Sequence, residues 1–197
     1  MLRKILILFF CCTVARAVNP LHLPHEAMDE DMKCPFEQKH TETPDSTQSM
    51  ILADRIIKEA MTHMGKRYRW GDVGPKTFDC SGFTSYVYRH EGLKISRTSR
   101  AQYHDGEEVQ IKELQKGDLV FFSRTRNKNR ITHVGIVTET DTSNCSFKFI
   151  HASIHGVKID SVPDKRYYKQ HYVSACRIFN DSIATLALQD SLLNEKI

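Results

Sequence analysis

Apolar residues change their period several times along this chain, and each change marks a predicted element. Ala53, Ile56, Ile57, Ala60, Met61 and Met64 follow the spacing of a helix with one apolar face. Ser49 suits the N-cap of that helix and Gly65 the residue just past its end. A second, short amphipathic helix is predicted after Asp79, a favoured N-cap type, with Phe83, Tyr86 and Val87 near helical spacing and Gly92 behind Glu91. The pattern then shortens. Leu119 to Phe122 is a continuous apolar run behind the Gly117-Asp118 turn, suited to a strand covered on both faces. Ile131 to Thr138 and Phe147 to Ser153 read as two more strands, joined as a hairpin through polar Asp141, Ser143 and Asn144. A last strand is expected around Tyr172 to Ile178. In the tail from Asn180, apolar Ile183, Leu186 and Leu193 suggest a marginal helix.

Two N-terminal stretches break this pattern. In residues 1–17, Arg3 and Lys4 precede an apolar run from Ile5 to Cys12, and Ala15-Arg16-Ala17 supplies small residues at the −3 and −1 positions. That is the form of a cleaved secretory signal, and the run is too short to anchor the chain across a bilayer. Cys11 and Cys12 raise a lipoprotein signal, but bulky Phe10 and Cys11 stand where a small residue belongs. Residues 18–48 are polar, with Pro20, Pro24, Pro35 and Pro44 and the acidic patch Asp29 to Asp31, and read as a linker or loosely docked arm. The domain is expected over 49–179, leaving 180–197 as a C-terminal tail.

Composition narrows the partners. The 197 residues hold one domain plus extensions, and 40% apolar with 26% charged residues is ordinary for a soluble globular chain. Loss of residues 1–17 removes Arg3, Lys4 and Arg16 and no acid, lowering the formal charge from +4 to +1. No long basic run points to nucleic acid; Arg124 to Arg130 reads first as a solvated loop. His22, His25 and His40 match no metal-ligand spacing, so no metal or cofactor is expected. The remaining cysteines, Cys34, Cys80, Cys145 and Cys176, are too few for a disulfide scaffold; Cys145 and Cys176 are a possible pair. The chain is read as a monomer.

Candidate chemistry gathers at three positions. Cys80 falls in the first turn of the predicted second helix, where free backbone N–H groups and the helix dipole favour a thiolate. Taken alone, such a cysteine is more often a small buried hydrophobe. If the hairpin register sums to an even number, 284 or 286, His133 and His151 share one face as direct or diagonal neighbours. Val134, Ile136, Ile150 and Ala152 then share an apolar face fit for a core, and Gly135 leaves room for a neighbouring backbone or substrate. Cys80, His133 and His151 together form a nucleophile, a base and an orienting group. They would also serve as three zinc ligands, though without the short chelating spacing that usually seeds such a site.

Six ordered motifs carry a resemblance. Tyr68-Arg69-Trp70-Gly71, Phe78-Asp79-Cys80-Ser81-Gly82-Phe83, Arg97-Thr98-Ser99, Gly117-Asp118-Leu119-Val120-Phe121-Phe122, Thr132-His133-Val134-Gly135-Ile136 and Phe149-Ile150-His151-Ala152 resemble those of the NlpC-type cell-wall cysteine endopeptidases. The likeness covers roughly residues 50–178. It implies a papain-like α+β fold with the nucleophile's helix packed on an antiparallel sheet. It further implies an exported, periplasmic or extracellular enzyme that hydrolyses amide bonds in the peptide stems of peptidoglycan. By motif, Cys80 is the nucleophile, His133 the base and His151 the orienting member; Tyr68, Trp70, Asp79 and Ser81 face the substrate. An acyltransferase or amidase acting on another amide, or a silent wall-binding protein, are the competing readings. Asp72, Ser96 and Lys116 depart from the family pattern, at loops and turns.

Overall fold

Residues 47–125, 128 and 130–194 are described in the computed structural model, and the readings made for 1–17 and for the arm up to residue 46 lie outside them. The first apolar stripe forms α1 (Thr47–Met61), which buries Leu52, Ala53, Ile56 and Ala60. Ser49 is not its N-cap. The helix starts two residues earlier, and the Ser49 backbone N–H donates to Asp181 at 3.0 Å. Met61 and Met64, expected on the apolar face, are 43% and 44% exposed, because the helix ends at Met61 and the chain turns away.

α2 (Cys80–His90) starts and stops where its caps direct. Asp79 accepts a hydrogen bond from the Gly82 N–H at 2.6 Å, and past the end Gly92 takes φ +80°, a left-handed backbone that glycine adopts without strain. The helix is not amphipathic in the ordinary sense. Every residue from Cys80 to Ser85 is buried, with Val87 and Tyr88, because α1 covers one side and the sheet the other. Burial of Phe83, Val87 and Tyr88 stabilises the fold by roughly 1.5–3 kcal/mol for each side chain.

Past α3 (Ser99–Gln102), the sheet runs through β1 (Glu107–Val109), β2 (Leu119–Phe122), β3 (His133–Asp141), β4 (Ser146–Ser153) and β5 (Gly156–Val162). Then come α4 (Arg166–His171), β6 (Tyr172–Arg177) and α5 (Asp181–Asn194). The six strands lie in the order β1-β6-β2-β3-β4-β5, all paired antiparallel. Helices packed on an antiparallel sheet make this an α+β fold. β1, β5 and α4 were not anticipated, and α5 is more than marginal: its Ala184 and Ala187 enter the core against α1.

The β3–β4 pairing joins Ile136 to Ile150 and Val137 to Phe149, a register that sums to 286. Val134, Ile136, Ile150 and Ala152 accordingly share the face packed into the core with Phe83 and Val87 of α2. The opposite face carries a ring cluster: Phe122, His133, Phe149, His151 and, from α4, Tyr168. Cys145 is disulfide-bonded, whereas Cys176 is a free buried thiol donating to the Gln102 carbonyl at 3.5 Å. The two do not pair.

Candidate active site

The cysteine end of the site is built by local sequence. Backbone bonds from Arg69 N to the Phe78 carbonyl (2.9 Å) and from Phe78 N to the Arg67 carbonyl (3.2 Å) fold the segment carrying Tyr68 back beside the start of α2. Both oxygens of Asp79 are occupied. Oδ1 accepts from Gly82 N and from Arg97 Nη1 (3.1 Å), and Oδ2 from Gly71 N (2.9 Å) and Arg97 Nη2 (2.6 Å). Ser81 Oγ accepts from Arg97 Nη1 at 3.1 Å. Gly82 is needed here: a Cβ would stand 2.1 Å from the Asp72 carbonyl oxygen. Ser96, just before Arg97, is held by Asp105, which accepts from its N–H (2.6 Å) and hydroxyl (2.8 Å).

Cys80 is a free, buried thiol. Burial pushes it up to about 11, and the Asp79 carboxylate adds to the rise; backbone N–H groups of Ser81, Val134 and Cys80 itself pull the other way. The helix start therefore does not by itself make a resting thiolate, as position alone suggested. The contact with the Val134 N–H matters for geometry. It puts the sulfur against the first residues of β3, next to His133. Tyr68 shares this neighbourhood: burial raises its hydroxyl, and the adjoining Cys80 and Asp79 raise it further.

The histidine end is built across strands. His133 and His151 are diagonal neighbours in the 286 register, with His133 Nε2 2.8 Å from His151 Nδ1 and the rings nearly perpendicular. Gly135 makes room for the neighbouring strand, as expected: a Cβ would lie 3.0 Å from the Ile150 carbonyl oxygen. A Cβ there would lie 2.6 Å from the Phe149 ring and 3.1 Å from the His151 Cβ. On its far side, His151 Nε2 lies 3.0 Å from Asp160 Oδ2, which also receives Lys158 Nζ at 2.7 Å. Tyr168 covers the pair, its hydroxyl 3.4 Å from His151 Nε2 and its ring stacked on His133. Burial lowers His133 to about 3, with the neighbouring His151 second among the causes; burial also lowers His151, against the pull of Asp160. Both imidazoles are neutral at rest.

Of the positions read from sequence, Cys80, Tyr68, Asp79 and Ser81 cluster at the helix start, and His133 and His151 form the pair beside it. Trp70 is set apart, 83% exposed. Asp160, Lys158 and Tyr168 were missed, and so was the role of Arg97 as Asp79's partner. The alternation Val157-Lys158-Ile159-Asp160 after Gly156 was the available signal for β5.

A cysteine opening a buried helix, set against an antiparallel sheet that carries paired histidines, defines a papain-like domain. The chain belongs to the NlpC/P60 family, whose model matches residues 65–177. It is 47% identical over 107 residues to the probable endopeptidase p60 of Listeria seeligeri, covering 54% of this chain and 19% of that one. It is 37% identical over 128 residues to the murein DD-endopeptidase MepH of Escherichia coli (strain K12), covering 62% and 44%. The structure of an NlpC/P60 family protein from Bacillus cereus superposes with a TM-score of 0.58 at 31% identity, covering 64% of this chain and 40% of that one. The chain thus spans less than half the length of these relatives. Among the described residues, no helix is long and apolar enough to cross a membrane.

Proposed function

We propose that this chain is an exported cysteine endopeptidase that hydrolyses amide bonds in the peptide stems of peptidoglycan. The observation that carries the reading is the seating of the Cys80 sulfur against the Val134 N–H, one residue from His133, whose ring is in turn bonded to His151. The names of the relatives support the substrate class, and the signal-like residues 1–17 support export.

With His133 Nε2 engaged by His151, His133 Nδ1 is the nitrogen left to act as base. Cys80 and His133 rest as thiol and neutral imidazole. As sulfur attacks the substrate carbonyl carbon, its proton passes to His133; the imidazolium then protonates the departing amine, leaving a thioester. Water, deprotonated by the same histidine, attacks the thioester and releases the acid and the free thiol. Backbone N–H groups at the start of α2 and the Tyr68 hydroxyl stabilise the oxyanion. Asp79 and Ser81, both bonded to Arg97, hold the helix start and reach polar groups of the stem only through that shared guanidinium surface. The domain acts as a monomer without a metal or cofactor.

Purified muropeptides are incubated with the wild type and with Cys80→Ala, and products are followed by mass spectrometry. Cleavage by the wild type alone is expected, and the new termini identify the bond. Intact muropeptides with the wild type, or equal cleavage by the variant, overturn the proposal. An amine acceptor added to the same assay separates hydrolysis from acyl transfer.

A further inference from the structure

The chain of polar atoms does not end at His151. It runs on to a carboxylate that the six motifs do not contain. Asp160 is 6% exposed on β5, one strand beyond His151, and the two side chains share the face with Phe149. His151 is fully buried, so no solvent competes for its Nε2.

We propose that Asp160 is a positioning residue: its buried carboxylate, pinned by Lys158 and Tyr168, sets the direction of every proton along the His151–His133 pair, leaving His133 Nδ1 bare. The proposal rests on the reading of Cys80 and His133 given above.

The argument follows from what each group can do. Lys158 only donates. An ionised carboxylate only accepts, and Asp160 is held ionised: burial alone pushes it up, but hydrogen bonds from His151 and Lys158 outweigh this and bring it below the usual carboxylate range. His151 Nε2 therefore carries a proton and donates it to Asp160 Oδ2. A neutral His151 is then bare at Nδ1 and accepts from His133 Nε2–H. A neutral His133 in turn is bare at Nδ1. Each tautomer is dictated by the one before, and the series begins at the one group that cannot donate.

Tyr168 tightens this. Its hydroxyl bonds Asp160, and its ring lies edge-on to His151 and stacked with His133, so both imidazoles are held in place. Other charges have been placed too. His151 is faced by His133 from β3, Asp160 and Lys158 from β5 and Tyr168 from α4. Cys80 is faced by Asp79 at the helix cap, Tyr68 from the preceding loop, Arg97 from the following loop and His133's strand. When His133 takes the thiol proton, the Asp160 charge stabilises the imidazolium through His151, while Lys158 opposes it.

In the Asp160→Asn variant, an amide that turns its NH2 to His151 Nε2 moves the proton of His151 to Nδ1, reverses the bond to His133 and protonates His133 Nδ1 where a base is needed. An amide that keeps its oxygen toward Lys158 and His151 preserves the tautomers but removes the charge that stabilises the His133 imidazolium. The expected result is a fall in kcat of at least about a hundredfold with KM changed by less than about threefold. Cys80 alkylation by iodoacetamide, read against pH, supplies a measure that a merely structural residue would not move. The wild type should show a His133-assisted plateau at neutral pH. His133→Ala and Asp160→Asn should lose it and react only on the alkaline thiolate limb. No plateau in the wild type overturns the Cys80–His133 reading itself. A plateau lost in His133→Ala but kept in Asp160→Asn overturns only the role of Asp160. Nitrogen-15 NMR of labelled wild-type protein tests the same point without a variant. A single proton on His151 Nε2 is expected; a proton on Nδ1, alone or with both nitrogens protonated, overturns the proposal.

Discussion

Two histidines in this fold are buried under nearly the same conditions, and only one adjoins the chemistry. His63, behind α1, has Nε2 2.9 Å from Glu59 and Nδ1 2.9 Å from Lys66 Nζ. His151, on β4, has Nε2 3.0 Å from Asp160, itself paired with Lys158. Each is walled by aromatic rings: Phe78, Phe83 and Tyr86 around His63, Phe149 and Tyr168 around His151. Burial lowers the proton affinity of both. What separates them is the second nitrogen. At His63 it meets an ammonium that only donates, so the ring is locked between two charges and ends there. At His151 it meets His133, which adjoins the Cys80 strand contact. Depressed proton affinity therefore does not mark a reactive histidine in this protein; the partner on the far nitrogen does.

The largest effect that would break this comparison is at the junction. His133→Ala is expected to lower kcat by about a thousand- to ten-thousandfold, the scale on which a base is lost from a nucleophilic set, with little change in unfolding midpoint. His63→Leu should leave kcat within about twofold and cost stability instead. It deletes the nearer of Glu59's two histidine partners and spoils the edge contacts to Phe78 and Tyr86, a loss of about 2–4 kcal/mol in urea unfolding. If His63→Leu abolished turnover in a folded protein, the distinction between the two histidines would fail.

The contrast is also one of sequence distance, and that governed what could be read in advance. The Cys80 end is local: Asp79 caps Gly82 three residues on, and the Gly71 N–H reaches forward eight residues to Asp79. Cap chemistry and helical spacing were enough to see it. His133 and His151 lie 18 residues apart, yet strand alternation allowed the 286 register and correctly assigned Val134, Ile136, Ile150 and Ala152 to the core. Asp160 and Tyr168 were missed, because the alternation of the edge strand β5 went unread and α4 is less than two turns long. Such elements are fixed by what they pack on. The same reason accounts for α2, whose spacing suggested one apolar face but whose position between α1 and the sheet buries nearly all of it. Met61 and Met64 failed in the opposite sense, since their period continued past the point where the helix stopped.

Acid should act on both histidine pockets together. His63, His133 and His151 all bind protons less readily folded than in the unfolded chain, where a histidine titrates near 6.5. Below that pH the unfolded chain takes up protons that the folded chain refuses, so stability falls as pH drops from about 6.5, for His133 until about 3. Each such histidine contributes a slope of up to about 1.4 kcal/mol per pH unit. Asp160 adds a second loss at lower pH: its ion pairs stabilise the fold above the unfolded carboxylate value, and that gain disappears as acid protonates it. Urea unfolding at pH 7, 6 and 5 should show the decline, and His63→Leu should flatten it by one histidine's share. An unchanged slope in that variant would mean that His63 titrates alike in both states.

The smallest effect is expected at Trp70, the one substrate-facing candidate that lies in neither pocket. Its indole is 83% exposed, so truncation to alanine removes little buried area and should shift stability by less than about 0.5 kcal/mol. If the ring contacts the stem peptide, it does so away from the reacting bond, equally in ground and transition states. Its loss then raises KM several-fold and leaves kcat unchanged. A fall in kcat matching the fall in kcat/KM would mean instead that the loop closes on the reacting centre during turnover, and that Trp70 acts with Cys80 and His133 rather than beside them.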